Sequence, residues 1–410
     1  MHLVTVSINS ITLGQPLPFA LRDAEGTLLA QKGFVINSRS ELEDIMGKGF
    51  SLYIDIHDSE SHHRAYVSKL HNLVIEDKPL GQIAGTKISK SHLDARRKDL
   101  LEGQPDWLDL QVQVNALLRD TSSPNFQQRL DRLQSQLREL TQRNPNGTLF
   151  ALFHLSASEL RLYSATHAML VSVMCSLAAR EVLNWPAEQE LTLCRAALTM
   201  NIGMTDLQDR LAMQIAAPTP EQRKQIDQHA PRSVQLLTQM GVIDPVWLEA
   251  VRNHHNVPPG PLAGMSEGLR MARLIQRADM FAARLAPRAS RVPTSPAAAM
   301  QASYFDENRQ VDEAGAALIK AVGIYSPGSF VRLTTNEVAV VIQRGINTTT
   351  PKVAVLINRD GIPTGEPLVR DTALRDYRIV ASVPHRDVKV QINLQRLLPL
   401  TAAGGSDRLW

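Results

Sequence analysis

Along residues 124–143 apolar side chains return at spacings of four and three: Phe126, Leu130, Leu133, Leu137 and Leu140 stand in a run otherwise filled with Gln, Arg and Asp. That seam predicts an amphipathic helix, because positions three and four apart share one face. It reads either as a face packed on its own domain or as a homodimer seam, and it falls short of the ~3–4 heptads of a coiled coil. Comparable periodicity predicts helices near 107–119, 150–183, 187–199, 220–240, 245–255, 267–286 and 310–322, divided by breaks that contain Pro or Gly.

Both ends of the chain change period. Between residues 3 and 57, two apolar runs flank the turn signal "DAEG", and "FSLYIDI" alternates with period two. Ser38 is placed as a helix N-cap with Glu41 at the capping-box position and Gly47 as the stop. Near the other end, "GSFVRL", "EVAVVIQRG" and "KVAVLINRDG" are Val- and Ile-rich runs bounded by Gly turns, which predicts a small antiparallel sheet. The expected fold class is α+β: a mainly α-helical bundle flanked by a small N-terminal β-rich module and a small C-terminal antiparallel β segment. The expected division is 1–60 for the module, 61–145 for linker and amphipathic helices, 146–325 for the helical domain and 326–410 for the β-rich segment and tail.

Composition narrows the class of partner. Hydrophobic residues at 43% and charged residues at 21% match an ordinary soluble globular chain. Lys+Arg 44 against Asp+Glu 41 leaves +3, too mild a balance to point to DNA or an anionic membrane. No signal-peptide pattern opens the sequence and no run reaches ~18 apolar residues, so the expectation is a cytoplasmic protein. Cys175 and Cys194 form no CxxC pair and are expected to be buried free thiols.

Candidate chemistry concentrates in the helical region. His167 in "ATHAML", His229 in "QHAPRS", the adjacent His254 and His255 in "NHHNVPPG", and Asp279 in "ADMFAA" all fall on or beside predicted helices. Singly, each reads as a surface residue or a satisfied core residue. An adjacent pair on a helix is splayed by about 100°, which lets both imidazoles line one cavity or reach two ions.

In order and context the series resembles the HD-GYP family, metal-dependent phosphodiesterases that open the bacterial messenger cyclic di-GMP. The resemblance runs over about residues 150–360 and includes the segment "GIYSPGSFVRLTTNEVAVVI". The N-terminal module is similar to the β-rich segment that often precedes such domains. The resemblance implies an HD-type helical bundle and a centre of two or three divalent ions of the Fe, Mn or Zn class, held by imidazoles and a bridging carboxylate. It also implies a basic pair on the nucleotide phosphates, matched here by Arg288 and Arg291.

The departures fall on the metal doublet. Where the family has His-Asp, this chain has Met200 and Asn201, and the phosphate-contacting Lys is Met204. A thioether is no substitute for imidazole toward a hard cation, and a neutral amide does not bridge as a carboxylate does. After the His pair, Asn256 replaces Glu, "VPPG" replaces the Gly-Tyr-Pro loop, and the second Asp of the last motif is Ala282. His167, His229, His254, His255 and Asp279 remain, enough for one divalent transition metal or for none. The leading expectation is an HD-GYP-like signalling protein without efficient hydrolysis, acting through cyclic di-GMP, a related nucleotide or a partner signalling protein. The alternatives are an active phosphodiesterase with a reduced metal site and a scaffold without ligand.

Overall fold

The computed structural model describes residues 3–6, 11, 13–14, 17, 20–23, 28–30, 34–38, 41–42, 45, 52–55, 105–158, 160–289, 294–390 and 392–402. Of the stretch read as linker and amphipathic helices, 61–145, residues 61–104 lie outside the described residues, as do most of the "DAEG" turn and Gly47. The chain divides into two compact units, Met1–Asp109 and Leu110–Trp410.

In the first unit, β1 (Leu3–Val6), β2 (Leu21–Arg22), β3 (Leu28–Ala30) and β4 (Leu52–Asp55) form a sheet in the order β1-β4-β2-β3. Every pairing in it is antiparallel. Leu21, Ile36, Leu42 and Leu52 make its core, so the apolar runs converge as their alternation predicts. Ser38 Oγ accepts from the Glu41 N–H at 3.1 Å, the expected cap. The Glu41 carboxylate reaches one residue further back than a standard box and accepts from the Asn37 N–H at 2.8 Å.

The second unit opens within α1 (Trp107–Arg119) and continues through α2 (Phe126–Arg143), α3 (Pro145–Ser158), α4 (Tyr163–Glu181) and α5 (Ala187–Thr199). Then follow α6 (Thr205–Met213), α7 (Pro220–Gln239), α8 (Pro245–Asn253), α9 (Glu267–Leu285), α10 (Pro296–Tyr304) and α11 (Glu313–Val322). At the centre stands α4, buried from Tyr163 to Ala179 on every side, with α3, α5, α9 and α11 packed around it. A helix apolar all round must be enclosed. By length and composition Leu160–Glu181 could cross a membrane, but 94% of its apolar window is buried inside this fold. Cys175 and Cys194 are free and buried within the bundle, and burial pushes the Cys194 thiol up to about 12.

The helix expected over 150–183 is two. A 3-10 turn, Leu160–Leu162, separates α3 from α4, and the Asp209 carboxylate accepts from the Ser164 N–H at 2.7 Å. A tertiary partner thus caps α4 where the local sequence shows no stop. Helices α6 and α10 were not expected: one follows directly on a Gly turn, and the other, "PAAAMQASY", has too few large apolar residues to show a period. On α2, Phe126, Leu130, Leu133 and Leu137 are buried and Gln134 donates to the Leu191 carbonyl at 2.7 Å. The seam packs within its own unit, so a homodimer through this helix would have to use its charged face.

The C-terminal strands β5 (Phe330–Leu333), β6 (Val338–Gln343), β7 (Lys352–Ile357), β8 (Pro363–Asp371) and β9 (Ile379–Val383) form an antiparallel sheet in the order β8-β7-β6-β5-β9. Every residue of the central strand β6 is buried. One face packs with Phe150 of α3 and with Leu397 of the short α12 (Leu394–Leu397), and the other with Tyr325 and Tyr377. Together these confirm the α+β class, helical in the middle with a small sheet toward each end.

Candidate metal and ligand site

Four helices bring the sequence-predicted ligands to one place. The capped start of α7 (Thr219 with Gln222, Pro220 in the first turn) sets the register that buries His229. On α8, Asp244 caps the N-terminus through Val246 and Trp247, and the helix ends at His254, leaving His255 on the loop beyond. Helix α4 supplies His167 and α9 supplies Asp279.

The ligand atoms of His229, His254 and His255 all lie within 4.8 Å of one another. Buried His229 and His254 face each other with Nε2 to Nε2 at 3.0 Å. Each presents its other ring nitrogen to a backbone carbonyl, His254 Nδ1 to Val251 at 2.7 Å and His229 Nδ1 to Ile226. An Nδ1–H donating to a carbonyl leaves Nε2 as a bare lone pair, the tautomer a metal-binding imidazole needs. Two such lone pairs at 3.0 Å repel unless a proton or a cation stands between them. Burial pushes His254 down to about 3, and the charges of His255 and His229 add to the effect. His229 is lowered chiefly by burial too, which disfavours the proton at this pair.

Asp279 carries the negative charge of the group. Its Oδ1 lies 2.6 Å from His167 Nε2. Burial raises its carboxyl, but the hydrogen bond and charge of His167, with His255 and His254 behind, hold it well below the usual carboxylate range. His167 stacks on Tyr163, ring centroids 5.5 Å apart and planes within 14°. On Tyr163 sits Arg288, its guanidinium 5.0 Å from the ring centroid and its Nη2 donating to the phenol at 2.9 Å. Arg288 Nε is buried without a partner. Arg291, expected beside it, lies outside the described residues.

At the doublet, Met200 is fully buried and Asn201 keeps a buried Oδ1 with no hydrogen-bond partner. The 3-10 turn Ile202–Met204 lies against α7, where Gly203 N–H donates to Ser233 Oγ at 2.9 Å. Sequence reasoning missed three positioning residues. Tyr163 was detectable, since four positions before His167 it shares that helix face. Arg273 and Gln276 donate to the carbonyls of Val257 (2.9 Å) and His255 (3.1 Å), which fixes the loop after the histidine pair. Nothing local marks those two, because their targets lie on another element.

The donor set fits one ion. Three imidazoles with an open side at exposed His255 suit a borderline divalent cation. Ligand distances of about 2.0–2.1 Å allow two neighbouring nitrogens roughly 3 Å apart to share it. The set does not fit a bridged pair: no carboxylate stands at Asn201, and Asp279 is engaged by His167.

No family model matches the chain, and no curated protein does. Among solved structures, Bd1817, an HDG"Y"P protein from Bdellovibrio bacteriovorus, matches at 15% identity over 77% of this chain and 98% of that one, with a TM-score of 0.37. A superposition that loose carries no argument, and the site stands on its own residues.

Proposed function

We propose that this chain is an HD-GYP-like signalling protein that has lost the multinuclear hydrolytic centre and works by binding. The observation that supports it is the pair of carbonyl-oriented histidines, His229 and His254, converging with His255 beside a doublet that has become Met200 and Asn201. His229, His254 and His255 hold one divalent transition metal, and the unpaired Asn201 oxygen is a neutral acceptor next in sequence to buried Met200. Neutral ligands leave the ion's charge undiminished, so the site attracts an anion, and a bound ion supplies charge for a phosphate oxygen. The ligand class is cyclic di-GMP or a related nucleotide, with Arg288 on its phosphate through the free Nε. Arginine suits that task by its planar donors.

Metal analysis of the purified protein, with calorimetric titration and a hydrolysis assay on cyclic di-GMP, tests the reading. Expected are one ion per chain, lost in a His254→Gln variant, and nucleotide binding without turnover. Turnover of ~1 s⁻¹ or more that a chelator abolishes would identify an active phosphodiesterase instead. No ion and no binding up to millimolar nucleotide would leave a scaffold. Met200→His with Asn201→Asp is expected to raise the metal content above one ion.

A further inference from the structure

Arg273 of α9 is a fully buried cation. Its Nε donates to Asp312 Oδ2 at 2.7 Å, and its Nη2 lies 2.5 Å from the same oxygen. The side chain of Asp312 is buried too, whereas Glu307, the second carboxylate on Arg273, is half exposed. A buried guanidinium needs a counter-charge that water does not screen, so Asp312 is the group that keeps Arg273 in place. The other oxygen of Asp312 accepts from the Gly315 N–H at 2.8 Å and caps α11. Gly315 leaves no room for a Cβ against the Ser303 carbonyl, so the start of α11 is a close-packed base.

From this base, contacts lead to the loop that carries His255. Arg273 Nη1 donates to the Val257 carbonyl and to Gln276 Oε1, both at 2.9 Å. With its oxygen held there, the Gln276 amide turns its NH₂ to the His255 carbonyl at 3.1 Å. Glu313, next to Asp312, accepts from the Leu262 N–H at 2.9 Å at the far end of the loop. Between these ties, Pro258, Pro259 and Pro261 restrict the backbone. His229 and His254 are fixed by burial and by their own Nδ1 contacts, whereas His255 is exposed and is placed through its backbone. We infer that Asp312 is a positioning residue for the histidine cluster: acting through Arg273 and Gln276, it holds His255 where it completes the set of three ligands. The inference rests on the reading of His229, His254 and His255 as a metal site, and it extends the site's support to a carboxylate at the start of α11.

Zn²⁺ affinity of the full chain, measured by competition with a chromophoric chelator, tests this. Asp312→Asn keeps a capping side chain for α11 but takes the charge away from Arg273. Expected is Zn²⁺ binding weaker by about 10–100-fold, the usual effect of losing a group behind a ligand, with far-UV dichroism unchanged. In a His255→Ala background, where His229 and His254 remain, the same substitution changes the affinity by less than about twofold. Should Asp312→Asn fail to fold, Gln276→Met, which keeps the length and removes the donor to His255, gives the same pair of results. Diethyl pyrocarbonate labelling of the metal-free chain, mapped by mass spectrometry, reads the placement without metal: His255 reacts faster in either variant than in the wild type. Wild-type affinity in the variants, an equal loss in the His255→Ala background, or unchanged labelling of His255 overturns the inference and leaves the metal site standing. A wild-type chain that takes up no Zn²⁺ overturns both.

Discussion

His154 on α3 shows how much one buried imidazole sets the pH response of the molecule. Burial pushes it down to about 4, and the nearby charge of His385 works in the same direction. The unfolded chain, with histidine near 6.5, binds that proton more tightly than the fold does. Stability therefore rises with pH between about 4 and 6.5 and is complete above that window, by ~1.4 kcal/mol per pH unit for each such proton. His254, His229 and His385 are lowered too and contribute with the same sign. Urea midpoints measured from pH 4 to 8 with chelator present should show His154→Phe shallower than wild type by about one proton. An unchanged slope would mean His154 is not held neutral. At this scale the sequence singled out His229, His254 and His255, which the fold brings together, but not the contacts each of them makes. Nothing local reveals that His254 Nδ1 meets the Val251 carbonyl, that Asp279 is taken by His167, or that Arg288 rests on Tyr163. Those facts depend on where helices end and cross, which is decided by packing.

Between elements, close approach decides geometry. Gly203 has no room for a side chain: a Cβ there would come 2.8 Å from the His229 carbonyl oxygen and 2.9 Å from the Ser233 nitrogen. The turn needs its glycine because α7 packs closely against it. Gly203→Ala is expected to destabilise by about 1–3 kcal/mol through overpacking and to lower metal content by displacing His229. Urea unfolding and elemental analysis check the two effects, and wild-type values in both would remove the argument. The seam of α2 gives the complementary case. Its period of four and three was plain in the sequence, but which surface it meets was not, since a packed face and a dimer face have one pattern. Leu133 is 5% exposed, so Leu133→Glu should destabilise by roughly 3 kcal/mol or more, the loss of a buried leucine plus an unpaired buried charge. Chemical denaturation measures that, and sedimentation should show the oligomeric state unaltered in the folded fraction. A dissociated but equally stable variant would restore the dimer seam. The break between α3 and α4 stayed hidden for a related reason: its cap, Asp209, comes from another helix.

At the scale of the whole second unit, the sheet is part of the helical body. Phe150 of α3 shares a cluster with Phe330, Val340 and Leu397. Gln343 at the end of β6 donates to the carbonyls of Leu400 (2.8 Å) and Ala402 (2.9 Å), which ties the last turn to the central strand. Next to it, Arg344 reaches three helical elements: Nε donates to Asn146 Oδ1 at 3.0 Å, and Nη1 to Glu181 Oε2 at 2.8 Å and to the Ala321 carbonyl. The Glu181 arm is partly exposed and worth little. The Ala321 carbonyl belongs to the last turn of α11, where a cation is favoured by the helix dipole. Most of the effect should come from that carbonyl and from Asn146, at about 1.5–3 kcal/mol for bonds made by a charged donor. A strand pattern in sequence looks the same whether its sheet stands apart or is built into a bundle, because both cases bury Val and Ile on a pleat. Arg344→Ala distinguishes them. If sheet and helices form one cooperative body, calorimetry of the variant shows the same single transition for this unit at lower temperature, with tryptophan fluorescence and far-UV dichroism still coincident. A new early transition seen by dichroism alone, with Trp185 between α4 and α5 and Trp247 on α8 unmoved, would show that the sheet folds as a separate domain.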